Sequence, residues 1–94
     1  MTLDAYIDRK YAAPVASNNG WRIFAKWLRS TKNAALKSLA DTGTSGDLPK
    51  LKRALKHALQ DNPPVDAASL DVGVGLLKAI DTTAEVLVIS DGTN

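Results

Sequence analysis

The reactive side chains of this 94-residue chain are few: one histidine, ten carboxylates and no cysteine. Without cysteine there is no disulfide, no thiolate metal site and no thiol nucleophile. His57 is a lone imidazole set among Lys50, Arg53 and Lys56. As a general base it has neither a nucleophile nor an orienting carboxylate beside it in sequence. Ser30, Ser38, Ser45 and Ser69 likewise have no base beside them. Asp66, Asp71 and Asp81 lack the spacing of a calcium loop. The run Asp71-Val72-Gly73-Val74-Gly75-Leu76 lacks the third glycine of a dinucleotide fingerprint, and no strand is expected before it. The residue types therefore predict a protein that is not an enzyme, with no metal, no cofactor and no small-molecule ligand, and whose chemistry is that of binding.

Two sets of residues could carry such binding. The first is Arg22, Ile23, Lys26, Trp27 and Arg29. Ile23 and Trp27 are four apart and meet on a helix surface, beside the main apolar stripe and bordered by cations. Tryptophan flanked by arginine is the composition of interface hot spots, and it also suits stacking on exposed bases. This set predicts a protein partner or self-association. The plainer reading packs Trp27 against a neighbouring helix.

The second set is Lys50, Arg53, Lys56 and His57, which face away from the leucines of their own helix. The stretch from Ala35 to Gln60, two helices joined across Gly43-Thr44-Ser45-Gly46, resembles a helix-turn-helix. That resemblance implies a basic second helix able to reach phosphates or guanine edges in a major groove. Nucleic acid is accordingly the alternative partner. It ranks second because Pro49 occupies the first turn of that helix, where base contacts are usually made, and because the far end of the chain is acidic.

The formal net charge of +2 conceals that asymmetry. Residues 1–18 balance. Residues 19–60 hold nine Lys and Arg against Asp41 and Asp47, a net of +7. Residues 61–94 hold Lys78 against five Asp and Glu85, a net of −5. Such separation fits a polyanion partner, neutralisation within one chain, or head-to-tail contacts between copies.

The elements that must position these residues read as four helices. Thr2 is a fair cap for a helix to about Ala12 that buries Leu3, Tyr6, Ile7 and Tyr11, with Pro14 stopping it. Asn18 or Asn19 caps a long helix from Trp21 to Ala40, whose stripe is Trp21, Phe24, Ala25, Leu28, Ala35, Leu36 and Leu39. Lys32 falls inside that stripe and needs water or a partner. Asp47 caps a third helix with Pro49 in its first turn and Leu48, Leu51, Ala54, Leu55, Ala58 and Leu59 on one face. Asp66 or Ser69 opens a last helix to about Asp81, apolar nearly all round. Residues 84–90 are β-branched and read as helix or short strand alike. The expected fold is all-α: one four-helix, bundle-like domain over residues 1–94, its C-terminal segment possible as a short strand.

Hydrophobic residues at 45% and charged ones at 23% are the balance of a folded domain rather than a disordered chain. No apolar run approaches the roughly 20 residues of a membrane span, and no signal peptide is visible at the N-terminus. The reading predicts a soluble protein, cytoplasmic or packaged in a virion or other assembly. Its expected role is that of a small structural or adaptor subunit, or an inhibitor of a larger complex.

Overall fold

In a computed structural model that describes residues 2–92, the elements run β1 (Thr2–Ile7), β2 (Lys10–Ser17), α1 (Asn18–Ser30), α2 (Ala34–Thr42), β3 (Thr44–Ser45), α3 (Leu48–Asp61), α4 (Ala67–Ala79) and β4 (Leu87–Ser90). The strands form one antiparallel sheet in the order β2-β1-β4-β3. The fold is mixed α/β, which corrects the all-α expectation.

The largest correction is at the N-terminus, where a hairpin replaces the expected helix. Leu3, Tyr6 and Ile7 satisfy helical spacing, but Leu3, Ala5 and Ile7 also alternate with Thr2, Asp4 and Tyr6, so two periods fit the same letters. A distant partner decides between them. β4 pairs with β1 from Asp4 opposite Ser90 to Ile7 opposite Leu87. The hairpin tip is a two-residue turn, Asp8 and Arg9, with φ of 49° and 69°. Paired positive φ values are those of a type I′ turn, whose twist matches that of the strands it joins. The Asp8 carboxylate accepts from the backbone N–H of Glu85 (2.9 Å) and Val86 (2.9 Å), and the Asp8 N–H donates to the Val86 carbonyl (2.9 Å). Pro14 does not break β2, because β2 is an edge strand whose outer side requires no donor. Register shifts between Leu3 and Asp4 and between Ala5 and Tyr6 leave Val15 and Ala12 as extra residues on β2 and bend that edge.

The long second helix is divided. α1 begins at the cap Ser17, whose hydroxyl accepts from the Gly20 N–H at 3.0 Å. It ends at Ser30. Lys32 then takes φ 60°, and the Asn33 side chain caps α2 by accepting from the Ala35 and Leu36 N–H groups. The break settles Lys32, which leaves the apolar stripe and is exposed. It also folds the stripe in two, so that Phe24, Ala25 and Leu28 meet Leu36, Leu39 and Ala40 in one core.

α3 follows the expectation closely. The Asp47 side chain accepts from the Lys50 N–H at 3.1 Å, and Leu48, Leu51 and Leu55 are buried. α4 is capped by Asp66, which accepts from the Ser69 N–H and hydroxyl. It ends at Ala79 rather than Asp81, and it buries one face (Ser69, Val72, Gly73, Leu76) rather than its whole girth. Gly73 is a contact point: a methyl group there would lie 2.9 Å from Leu59 Cδ2 and 3.4 Å from Phe24 Cε1. Of the two readings of residues 84–90, the strand holds at Leu87–Ser90.

Ala5 and Leu87 project from the sheet into the core that the helices complete, with Ile7 and Ile89 packed against it. Strand alternation puts Tyr6 and Val88 on the opposite face.

Candidate functional site

The first set of sequence-derived residues divides into structural and accessible members. Trp27 is only 9% exposed and belongs to the core. Its ring lies 5.5 Å from that of Phe24, and its Nε1–H donates to the Asn62 carbonyl at 2.9 Å. That bond ties α1 to the end of α3, so most of the indole serves the fold. Arg29 links α1 to α2: Nε is 2.9 Å from Asp41 Oδ1, and a terminal nitrogen donates to the Ala40 carbonyl at 3.3 Å. Arg22 is exposed and donates to the Asn19 side chain. Ile23, 43% exposed, and Lys26 remain open to solvent.

These last two border a groove that the sequence did not reveal. It has a volume of about 240 Å³ and is lined by Ile23, Lys26, Trp27, Pro64, Val65 and Asp66, with Ser30 and Ser69 completing it. Pro64 is buried, whereas Val65 is fully exposed. An apolar residue just before a helix cap commonly packs on the fourth residue of that helix. Here the pair would be Val65 and Leu70, yet Val65 stands free in solvent. The sequence signal was present in Pro63-Pro64-Val65-Asp66, an apolar residue between a rigid dipeptide and a cap. Its exposure depends on how the linker crosses α1.

The second set stays together. Lys50, Arg53, Lys56 and His57 are all exposed on α3. Lys52, which sequence reasoning passed over, joins Pro49, Arg53, Lys56 and Thr82 around a shallow cleft of about 420 Å³. Its ammonium donates to the Ile80 carbonyl at 3.4 Å. Nearby, Asp81 is held below the ordinary carboxylate pKa. The Thr83 backbone N–H is the main cause and the Thr83 hydroxyl the next, opposed by slight desolvation and aided by Lys52. Among the described residues, none of Asp61, Asp66, Asp71, Asp81 and Glu85 forms a salt bridge with the cations of α3. Those five carboxylates therefore do not pair closely with the basic helix.

The connection between α2 and α3, expected as the turn of a helix-turn-helix, carries β3. Thr44 and Ser45 pair with Val88 and Leu87, and the Ile89 N–H donates to the Gly43 carbonyl at 2.7 Å. The first turn of α3 is closed by Pro49 and by the capping carboxylate of Asp47, which opposes an approaching phosphate.

A third region escaped sequence reasoning, because it exists only once the hairpin forms. On the sheet face away from the helices, Tyr6 meets Tyr11 edge to face with ring centroids 5.9 Å apart. A cleft of about 430 Å³ beside them is lined by Tyr6, Arg9, Val88, Ser90 and Gly92.

Among the described residues, no helix is long and apolar enough to cross a membrane, and no three His, Asp or Glu side chains gather as metal ligands. Comparison with family models, with curated proteins and with solved structures returns no match.

Proposed function

We propose that this protein is a non-enzymatic assembly subunit that associates with a second copy of itself through the groove between α1 and the α3–α4 linker. The observation that carries the reading is Val65, an apolar side chain wholly in water beside a groove walled by Ile23, Trp27 and Pro64. Knob and hole lie on one surface, as an isologous twofold contact requires. The charges at the rim fit the same symmetry. Lys26 borders the groove from α1 and Asp66 from the start of α4, so a twofold axis that runs between them sets each Lys26 against the other copy's Asp66.

The test is sedimentation velocity of the full chain over a range of concentrations. Fully burying a valine is worth roughly 1.5 kcal/mol or more, and two copies share the contact. Val65→Ala removes about two of the three side-chain carbons at each site and is expected to weaken association by about 2 kcal/mol, some 30-fold. Val65→Asp is expected to abolish association while the monomer stays folded. A wild-type chain that stays monomeric at hundreds of micromolar, or a dimer indifferent to Val65→Asp, overturns the reading.

A second reading rests on a separate observation, the exposed cations Lys50, Arg53 and Lys56 along α3, which form no salt bridge among the described residues. They favour an anionic partner held by phosphate contacts. Such binding falls steeply with salt and weakens in Arg53→Ala for every sequence alike.

A further inference from the structure

Two glycines interrupt α4, and the chain itself accounts for one of them. Glycine weakens a helix interior relative to alanine. A side chain at Gly73 would press on Leu59 and Phe24, so close packing explains that position. At Gly75 nothing lies within 4 Å of where a side chain would stand, and the residue is exposed. Close approach of a second backbone is the other physical use of glycine. Gly75 does not stand alone. Ala67, Asp71, Val74 and Lys78 lie three or four residues from one another and share its side of the helix. All are exposed, Val74 by 37%. The outward face of a surface helix is ordinarily polar, yet the only charges on this one are Asp71 and Lys78.

Those two charges are opposite in sign, and neither forms a salt bridge among the described residues. The midpoint between them falls between Val74 and Gly75. A second α4 laid antiparallel across that midpoint sets Asp71 of each copy against Lys78 of the other, while Val74 and Gly75 occupy the crossing. A parallel pair in the same register would instead oppose like charges, so the pattern selects the antiparallel one. Packed helix axes lie about 8–10 Å apart, and Cα atoms stand about 2.3 Å from their axis, which leaves roughly 3–5 Å between facing backbones. Glycine at the crossing admits the closer end of that range.

We propose that this face of α4 is a second self-association surface, an isologous contact between antiparallel α4 helices of two copies. It is separate from the groove that holds Val65. Ser69, which α4 contributes to that groove, lies roughly 180° around the helix from the centre of this face at 100° per residue. One subunit can therefore hold two neighbours at once. That carries assembly past the dimer, a step that rests on the groove reading, whereas the α4 contact itself does not. A helix of 13 residues is about 20 Å long. The contact is accordingly smaller than the roughly 1,200 Å² of a stable interface, and by itself it is too transient to sediment as a dimer.

Disulfide trapping of the full chain suits a transient contact, because the chain has no cysteine of its own. Gly75→Cys is tolerated by the open space around that position. In the antiparallel pair its two copies are about 1.5 Å apart along the axis, and facing backbones come within the roughly 4.4–6.8 Å Cα separation of a disulfide. Ala68→Cys, also exposed on α4, is the control, since its two copies lie about 20 Å apart along the axis. With oxidised glutathione, Gly75→Cys is expected to cross-link roughly tenfold faster than Ala68→Cys, since only its thiols fall within disulfide reach. Adding Lys78→Asp should bring it down to the control rate, and adding Asp71→Lys as well should restore it. Circular dichroism checks that each variant is folded. Equal rates for the two cysteine positions, indifference to Lys78→Asp, or a charge swap that fails to restore the rate overturns the proposal. Val65→Asp separates the two contacts. It removes the sedimenting dimer and should leave the cross-linking preference in place, and a preference lost with it assigns the encounter to the groove and overturns the α4 contact.

Discussion

Asp8 is where the hairpin and the helix alternatives for the N-terminus make opposite predictions. In the folded chain its carboxylate accepts from the backbone N–H of Glu85 and Val86, and its own φ is 49°. Hydrogen bonds to charged groups are each worth about 1.5–3 kcal/mol when sheltered. This pair is exposed, so about 2 kcal/mol for both together is the working figure. Alanine also loses the tolerance that Asp and Asn have for positive φ. Asp8→Ala is therefore expected to destabilise the protein by about 2 kcal/mol, a fall in melting temperature of roughly 8–16 °C for a domain of this size. Asp8→Asn keeps one acceptor oxygen and the backbone tolerance, and should lose about half as much. Were residues 2–12 a helix, position 8 would lie in its interior and alanine would stabilise it by about 0.7 kcal/mol. Urea denaturation followed by tryptophan fluorescence gives the sign, and amide exchange at Glu85 and Val86 gives the place. A stabilising Asp8→Ala, or protection at residues 85 and 86 that ignores the substitution, refutes the hairpin and its tie to β4.

Two further predictions come from α4 and from the loop after it. Gly75 has open space around its missing side chain, whereas a methyl group at Gly73 meets Leu59 and Phe24. Gly75→Ala should add about 1 kcal/mol of stability from helix propensity, while in Gly73→Ala the overpacking, typically about 1–3 kcal/mol, should cancel or exceed that gain. Equal melting shifts for the two variants would show that Gly73 is not a contact. The Asp81 pKa is lowered in the folded chain from 3.8 by the Thr83 N–H and hydroxyl. A lowered carboxylate pKa stabilises the fold above the unfolded value and ceases to do so as pH falls through the folded one. The stability difference between wild type and Asp81→Asn should hence be constant at neutral pH and shrink below about pH 4, as melting curves across pH 2–7 would reveal.

The candidate site was legible in part. Ile23 and Lys26 were found because their spacing puts them beside the main stripe of a helix, and that geometry holds within α1. Trp27 shares the spacing but points its N–H at the Asn62 carbonyl, a partner 35 residues away that no local pattern discloses. Val65 went unnoticed because nothing in its neighbours states that it fails to reach Leu70. The tyrosine face was invisible for a stronger reason: Tyr6 and Tyr11 were placed within one helix, and they become neighbours only across a hairpin.

The sequence by itself determined α3, the breaks at residues 43–46 and 63–64, and the separation of basic and acidic segments. These follow from interactions three or four residues long, such as Asp47 accepting from Lys50, Asp66 accepting from Ser69, and leucines recurring each turn. Only the tertiary structure decided that residues 2–17 form strands. Their letters fit both periods, and the balance is set by Asp8 and β1 meeting a strand 77 or more residues further along the chain. The charge question belongs to the same level. Whether the acidic end screens the basic middle depends on where carboxylates point in space: Asp66 accepts from Ser69 and Asp81 from Thr83, with Lys52 also acting on Asp81.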